Sequence, residues 1–361
     1  MTLPALSKST GTGGLVSVIV VNWDGLRFLE DCLRSLEGQD YPAVEIVLVD
    51  NGSTDGSPEF VATRFPSVRL LRLSHNHGFA EANNVGIRAS CGEYIVLVNN
   101  DTKSDRGMTA AFVRAMRCNP RLGAAQGKIR LMADPCRLDN GVGSYFTSTG
   151  FLCHAGHLSR DIGHEKLQPI FAAKGACLCL RREAVETAGL FDPDFFAYFE
   201  DSDLCWRIAL AGYEVAFIPD AEISHRIGGT TEQVRFAVIN RHIFKNRIRT
   251  IITNLGIRRL AGVLPIHVGI CLVLIVAYTI GRRPVIARGI VSAFLWNLLH
   301  LPGTLRHRRH VQDQVRKVSD FELLAWRQLP ISKQYLVESF RGYWGLVSGF
   351  QDSRRGRRPS A

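Results

Sequence analysis

The sequence predicts an α/β protein in which a mostly parallel central sheet is flanked by helices, followed by a helical C-terminal region. First, short β-rich runs alternate with segments of helical periodicity over the first 130 of the 361 residues. Second, these runs are continuously apolar, as strands buried on both faces of a parallel sheet are. Third, a charge-free apolar run follows residue 260. The composition, 46% hydrophobic and 21% charged, predicts a packed core.

Four strands and three helices alternate at the start of the chain. The strands are predicted at VSVIVVN (16–22), VEIVLVD (44–50), VRLLRL (68–73) and YIVLVNND (94–101). The helices between them are predicted at Leu26–Leu36, Ser57–Arg64 and Phe79–Ser90. This alternation implies parallel strands connected by helices that cover both faces of the sheet.

The next segment is less regular. Residues 131–170 are rich in Gly, His and Ser and show little periodicity, which predicts a long loop region that folds over a ligand. Helices are then predicted at Glu183–Ala188 and Asp201–Ala211, the second with an acidic first turn. A strand is predicted at Glu214–Ile218.

The cysteines and the N-terminal residues indicate the compartment. The nine cysteines form no paired C-x-x-C elements, so most are expected to be reduced core residues. The first fifteen residues contain no apolar stretch of signal-peptide length. We therefore expect the N-terminal part of the protein to lie in the cytoplasm.

Polar residues follow three of the predicted strands: Asn22-Trp23-Asp24, Asp50-Asn51-Gly52-Ser53 and Asn99-Asn100-Asp101. Each ending alone is ordinary turn chemistry. Because ligands bind beyond the carboxyl ends of parallel strands, three such endings on one sheet edge predict a site. Asp101 is suited to hold a hard cation together with substrate phosphates, although one carboxylate alone is equally typical of a cap.

A second acidic cluster lies at Glu200-Asp201-Ser202-Asp203. Five aromatic residues precede it within nine positions, and the three carboxylates repel one another. This setting raises a carboxyl pKa towards that of a general base, while a plain helix start remains an equal alternative. His225 follows a strand-like segment. A lone histidine is more often structural than a metal ligand, but its place after the second acidic cluster is compatible with metal ligation.

The C-terminal third is strongly basic. Residues 1–235 carry 23 Lys+Arg against 28 Asp+Glu, and residues 236–361 carry 21 against 5. Residues 261–280 are twenty positions without a formal charge, bracketed by arginine pairs, and an amphipathic run follows at Val285–Leu301. These features favour binding to an anionic membrane surface over binding to nucleic acid. They also favour membrane-associated helices over a pair of buried core helices. A helical hairpin and two helices in the interface both keep the basic tail in the cytoplasm.

The combined motifs resemble the family 2 glycosyltransferases of the GT-A fold, closest to their bacterial rhamnosyltransferase-like branch. The motifs, in order, are VSVIVVNWDG, VDNGSTDGS, GFAEANNVG, VNND, GLFDPDFFAYFEDSDLCWR and His225, and the match covers about residues 15–250. The resemblance implies an inverting enzyme that uses a nucleotide-diphosphate sugar and a divalent cation, Mg²⁺ or Mn²⁺.

The resemblance also implies roles for individual residues. Asp50 would contact the base or ribose and Trp23 would lie beside the base. Asp101 would bind the cation, although the sequence reads Asn99-Asn100-Asp101 instead of Asp-x-Asp, and His225 would complete the metal site. Asp201 would be the catalytic base, with Glu200 adjacent. The remaining assignments are Val21, Asn84 and Asn100 to the nucleotide-sugar site, and Lys174, Gly175, Ala176 and Asp203 to the acceptor side.

These expectations give a domain plan and a function. The plan is a flexible N-terminus (1–14), a GT-A domain (15–250), apolar and amphipathic membrane-associating helices (251–305) and a basic tail (306–361). The predicted function is sugar transfer to a lipid-linked or glycan acceptor in cell-envelope polysaccharide synthesis, at the cytoplasmic face of the cell membrane. Two alternatives remain. A nucleotidyltransferase would need a Gly-rich phosphate loop, whereas NWDGLRF offers one glycine; an inactive sugar-binding scaffold would be indicated by loss of Asp101 or Asp201.

Overall fold

The computed structural model describes residues 14–139, 141–162, 164–226, 236–325 and 328–329. Its strands are β1 (Val16–Asn22), β2 (Val44–Asp50), β3 (Arg69–Arg72), β4 (Tyr94–Asn99), β5 (Thr102–Ser104), β6 (Leu122–Leu131), β7 (Asp134–Leu138), β8 (Ser144–Thr147), β9 (Leu152–His154), β10 (Gln168–Pro169), β11 (Cys177–Arg181), β12 (Glu214–His225) and β13 (Gln328–Leu329). Its helices are α1 (Leu26–Glu37), α2 (Ser57–Arg64), α3 (Gly78–Ala89), α4 (Met108–Cys118), α5 (Arg182–Ala188), α6 (Glu200–Leu210), α7 (Phe236–Asn254), α8 (Ile257–Ile280), α9 (Pro284–Leu299), α10 (Leu301–His310) and α11 (Asp320–Leu324).

The large sheet has the order β10-β12-β6-β11-β4-β1-β2-β3, with β5 added to β12 and β7 to β6. Strands β4, β1, β2 and β3 are parallel neighbours, and β12 runs parallel to β6. Strand β11 is antiparallel to both β4 and β6, so the sheet is mixed but mostly parallel. A small second sheet has the order β13-β8-β9. The predicted α/β fold class is confirmed.

Two hydrophobic clusters lie on the two faces of the large sheet. Alternation along β1 sends Val18 and Val20 to one face and Ile19 to the other. Helices α1, α2 and α4 cover the first face, and α3, α5 and α6 cover the second. All seven residues of β1 are at least partly shielded and six are buried, which is why its sequence is mostly apolar.

The interpretation of residues 131–170 as a long loop region is wrong in part. This segment contains β7, β8, β9 and β10, which are too short to show a strand period in the sequence. Strand β6 was not predicted, although it lies inside the sheet between β12 and β11. Strand β12 continues past the predicted end at Ile218 to His225, with a register shift between Ile218 and Glu222.

Helices α7 to α10 follow the sheet domain, and α7 crosses the predicted boundary at residue 250. By length and composition α8 is the one helix among the described residues able to cross a membrane alone. A second apolar segment, α9 with the chain from Leu301 to Val315, is bent by 68°. Residues 1–13 of the predicted flexible N-terminus and 330–361 of the predicted basic tail lie outside the described residues.

Candidate functional site

The three polar strand endings meet at one edge of the sheet, as predicted, because β4, β1 and β2 are parallel neighbours. The Asn22 amide donates to Asp50 Oδ1 at 3.3 Å and to Ser53 Oγ at 3.2 Å. The Asn100 amide donates to Asn22 Oδ1 at 2.7 Å. These hydrogen bonds join the ends of all three strands into one polar floor.

Gly25 allows the chain after β1 to cross this floor closely. A Cβ atom at Gly25 would lie 2.2 Å from Asn100 Nδ2 and 2.5 Å from Asn22 Oδ1. The two residues before it, Trp23 and Asp24, are half-buried at the same edge, and Val21 packs partly against the core. The sequence-predicted nucleotide residues of β1, β2 and β4 are therefore together in space.

Asn84 has a different role from the one predicted. Its side chain donates to the Phe191 carbonyl at 2.9 Å and accepts from the Phe191 amide at 3.0 Å, and it is fully buried. This reciprocal pair fastens α3 to the chain before α6. Because both polar ends of the side chain are committed to backbone, we correct the assignment of Asn84 to nucleotide-sugar binding: it stabilises the fold.

Asp101 and His225 lie face to face where β4 and β12 end. Asp101 Oδ1 is 3.2 Å from His225 Nε2, while His225 Nδ1 donates to Asp139 Oδ2 at 2.7 Å. Burial alone would lower the pKa of the His225 imidazole, but the carboxylates of Asp101 and Asp139 raise it. Burial likewise opposes ionisation of Asp139, yet His225 and Lys174 hold its pKa well below the usual range.

The Asp101–His225 pair fits a divalent cation. Asp101 Oδ1 is buried and accepts no hydrogen bond from any described residue. Because His225 gives its Nδ1 proton to Asp139, the Nε2 lone pair faces that oxygen, and two lone pairs this close repel unless a cation or proton lies between them. Within the described residues no group of three His, Cys, Asp or Glu is arranged for a metal. Substrate phosphates and water would therefore supply the other ligands, as is usual for Mg²⁺.

The segment Lys174-Gly175-Ala176 connects this pair to the second acidic cluster. Lys174 Nζ donates to Asp139 Oδ2 at 2.5 Å, and the Gly175 amide donates to Asp201 Oδ2 at 2.8 Å. Ala176 is buried in the core and directly precedes β11. This short segment thus contacts Asp139, the hydrogen-bond partner of His225, on one side and the Asp201 carboxylate on the other.

Asp201 and Glu200 open α6 in a setting that disfavours their ionisation. Burial raises the pKa of Asp201, although hydrogen bonds from Gly175 and Ser202 oppose this. Burial and the neighbouring Asp201 charge raise the pKa of Glu200 well above its usual value. Carboxyl groups with raised pKa values in a cleft are typical of general acid–base catalysis.

The backbone before α6 is strained, and a side chain of α7 holds it in place. Phe196, Tyr198 and Phe199 have φ angles of 64°, 68° and 76°, in the left-handed region that non-glycine residues rarely adopt. The Asn246 amide of α7 donates to three carbonyls of this segment, between residues 195 and 198, at 2.6–3.0 Å. Strain held by surrounding structure is characteristic of functional sites.

Asp203 does not face the acceptor side as predicted. Its Oδ2 accepts from Arg207 Nε at 2.8 Å and its Oδ1 accepts from Asn254 Nδ2 at 2.9 Å, and the residue is 1% exposed. Two positions beyond Asp201 on a helix, its side chain points about 200° away from that of Asp201. We therefore correct Asp203 to a buried ion-pair residue that joins α6 to α7.

Two residues of this arrangement were not found from the sequence. Asp139 directly follows β7, so it repeats the pattern of an acidic residue after a strand, but the strand is too short and exposed to recognise. Asn246 lies in α7 far along the chain from the segment it holds, and a lone Asn within a helical pattern carries no signal of its own.

Comparisons with known proteins identify the family. The family model described as glycosyl transferase family 2 matches residues 17–186. The chain is 30% identical over 245 residues to an N-acetylglucosaminyl-diphospho-decaprenol L-rhamnosyltransferase of Mycobacterium tuberculosis, which covers 60% of this chain and 78% of that protein. It is 24% identical over 229 residues to a poly-beta-1,6-N-acetyl-D-glucosamine synthase of Staphylococcus epidermidis, covering 62% of this chain and 53% of that one.

The fold is also shared with a solved structure. The crystal structure of GalNAc-T7 with UDP, GalNAc and Mn²⁺ superposes with a TM-score of 0.55 at 17% identity, covering 68% of this chain and 48% of that chain. This likeness supports the GT-A architecture of the sheet domain. Together with the matched family model and the mycobacterial relative, it confirms the resemblance drawn from the motifs: the chain belongs to glycosyl transferase family 2.

Proposed function

We propose that this glycosyltransferase is an inverting, metal-dependent enzyme. It moves a sugar from a nucleotide-diphosphate donor to a hydroxyl group of a lipid-linked or glycan acceptor in cell-envelope polysaccharide synthesis. The mycobacterial relative, an L-rhamnosyltransferase acting on a diphospho-decaprenol acceptor by name, makes L-rhamnose the first donor sugar to test and a polyprenyl-diphosphate glycan the first acceptor. The observation that carries the proposal is the segment Lys174-Gly175, which contacts both the Asp139–His225–Asp101 chain and the Asp201 carboxylate.

The donor side uses the polar floor and the Asp101–His225 pair. Asp50, Trp23, Val21 and Asn100 would bind the nucleoside and its sugar at the ends of the strands. Asp101 and His225 would hold Mg²⁺ or Mn²⁺, which acts as a Lewis acid on the departing diphosphate when bound. We expect Asp101→Ala to abolish turnover and to weaken binding of the nucleoside diphosphate, and full activity in excess chelator would refute the metal assignment.

The acceptor side uses Asp201 as the general base. Inversion requires the acceptor hydroxyl to be deprotonated as it attacks the sugar opposite the leaving diphosphate, and one positioned carboxylate suffices. Gly175 N–H fixes one oxygen of Asp201, while burial and the Asp201 charge raise the pKa of the neighbouring Glu200 and so favour its neutral form. Lys174, Gly175 and Ala176 would line the acceptor side.

Helices α8 and α9 attach the enzyme to the cytoplasmic face of the cell membrane. Their outer faces expose large apolar side chains, among them Leu272, Val273, Val276, Leu295 and Leu298. In α8, His267 Nδ1 donates to the Thr149 carbonyl at 2.9 Å, so the first half of the helix is fixed to the sheet domain. Residues 268–280 span about 20 Å, short of the roughly 30 Å hydrocarbon core. We therefore favour helices lying in the interface over a spanning helix.

A donor screen tests this function. The full chain in detergent is incubated with a panel of nucleotide sugars, with and without a membrane lipid extract, and release of nucleoside diphosphate is measured. We expect release with one nucleotide sugar that depends on the lipid extract and is lost in Asp201→Asn. A folded protein that releases nucleoside diphosphate from no member of the panel, or equally well without acceptor lipid, would contradict the proposal.

A further inference from the structure

Asp139 lies behind the imidazole of His225, on the side away from Asp101. Its Oδ2 accepts the proton of His225 Nδ1 at 2.7 Å, and Lys174 Nζ approaches the same oxygen at 2.5 Å. The residue is 2% exposed, and its own amide donates to the Ile129 carbonyl of β6 at 2.9 Å. A buried carboxylate with two cationic or donor partners and a fixed backbone holds one orientation.

The neutral imidazole of His225 has two tautomers, and only one of them leaves Nε2 free to bind a cation. A carboxylate accepts hydrogen bonds but donates none, so Asp139 selects the tautomer with the proton on Nδ1. The Nε2 lone pair is then directed at Asp101 Oδ1, 3.2 Å away. Carboxylates that hold metal-binding histidines in this way also make the free nitrogen more basic.

We propose that Asp139 is a positioning residue for the cation of this enzyme, acting through His225. This inference rests on the metal site of the proposed function. Asp139 fixes the ring plane and the tautomer of His225, and the same carboxylate oxygen anchors Lys174, whose neighbour Gly175 contacts the Asp201 base. The donor and acceptor sides of the site are thereby held in one geometry.

Mn²⁺ affinity measures the proposed role without turnover. Free Mn²⁺ is titrated against the full chain in detergent and followed by electron paramagnetic resonance, with no nucleotide present. We expect Asp139→Ala to weaken Mn²⁺ binding about 10- to 100-fold, the usual loss when the partner of a ligating histidine is removed. Asp139→Asn should lose less, because its amide oxygen still accepts the Nδ1 proton.

Asp161→Asn is the matched control. Asp161 is also a carboxylate in this part of the chain and is paired with Lys128 and Arg130, at 2.8 Å in each case, but it contacts neither His225 nor Asp101. Its substitution should leave Mn²⁺ affinity unchanged. Equal losses in Asp161→Asn and Asp139→Ala would overturn the proposal, because a general weakening of the fold would then explain both.

A second measurement reads the tautomer directly. In metal-free protein labelled with ¹⁵N-histidine, at a pH high enough to leave the His225 imidazole neutral, its two ring nitrogens should have shifts of the Nδ1–H tautomer. Asp139→Ala should change these shifts towards those of the Nε2–H form. An unchanged tautomer in Asp139→Ala would overturn the role of Asp139, even if the variant were less stable. Failure of the unsubstituted chain to bind Mn²⁺, both alone and with inorganic pyrophosphate added in place of the donor diphosphate, would instead refute the metal site of the proposed function.

Discussion

Replacing Asp201 by asparagine tests whether this carboxylate is the general base. The amide keeps the shape of the side chain and removes the proton acceptor. A positioned base contributes roughly 10²- to 10⁴-fold to turnover, which corresponds to about 2.7–5.5 kcal/mol of activation free energy. We expect kcat to fall by this factor with little change in donor affinity, because a general base at this position would face the acceptor hydroxyl group and not the diphosphate.

The same substitution should have little effect on folding stability. Asp201 accepts backbone hydrogen bonds at both oxygens, from Gly175 at 2.8 Å and from Ser202 at 2.6 Å, and asparagine can keep only one of them. The lost bond costs about 0.5–1.5 kcal/mol. Burial raises the pKa of Asp201, so its ionised form destabilises the folded protein, and neutralising it returns part of that cost. The two effects oppose each other, so we expect only a small net change in the free energy of unfolding.

Asp203→Asn is the control, and it should show the opposite pattern. Asp203 forms a buried ion pair with Arg207, and removing one partner of such a pair costs about 3–5 kcal/mol. Its kcat, measured well below the melting temperature, should stay near that of the unsubstituted enzyme. Thermal melts and initial rates on both variants separate the roles. An essential Asp203 beside a dispensable Asp201 would refute the assignment, and small equal losses would leave the mechanism without a base.

Three further predictions follow from the site and the helices. In Gly25→Ala the new methyl group would meet the Asn100 amide at 2.2 Å, so we expect weaker donor binding and about 1–3 kcal/mol lower stability. The control Gly107→Ala, whose new methyl group has its nearest contact at 3.6 Å, should leave both unchanged. Because the pKa of Asp201 is raised and the base must be ionised, kcat/KM should fall with decreasing pH through a pKa above the ordinary aspartate value; a limb at or below that value would contradict this assignment. Val276→Asp on the exposed face of α8 should reduce binding to anionic vesicles about tenfold, and unchanged flotation would refute the membrane surface.

The sequence was informative where a buried strand is a nearly continuous apolar run, and it missed β6, which is ten residues long and largely buried but is interrupted by two glycines, Gln126 and Lys128. Strands β1, β2 and β4 read as continuous apolar runs, and the polar residues after them lie together because parallel neighbouring strands end at one edge. The same logic fails for β7 to β10, which are short and partly exposed. Their side chains alternate over too few positions to distinguish a strand from a loop.

Within the site, the sequence identified residue types but not their directions. Asp201 and Asp203 belong to one acidic cluster, yet helix geometry sends the first towards Gly175 and the second into a buried pair with Arg207. Asn84 was assigned to the nucleotide-sugar site by the resemblance to the family, whereas its side chain forms hydrogen bonds with the Phe191 backbone. Such partners are distant in sequence, so no local pattern reveals them.

The C-terminal helices connect the proposed membrane-binding surface to the candidate catalytic site through α7. Asn246 of α7 holds the strained segment before Asp201. The last turn of α7 is in turn bound by Arg308 of α10, which donates to the Ile252 carbonyl at 2.5 Å, and by Gln312, which donates to the Thr253 carbonyl at 2.8 Å. Truncation near residue 255 would therefore remove contacts that fix α7, besides the apolar faces of α8 and α9. Loss of activity in such a truncation would not separate the role of these helices in membrane binding from their role in holding α7. Surface substitutions on α8 separate them, because they change the apolar face and leave the contacts of Asn246 intact.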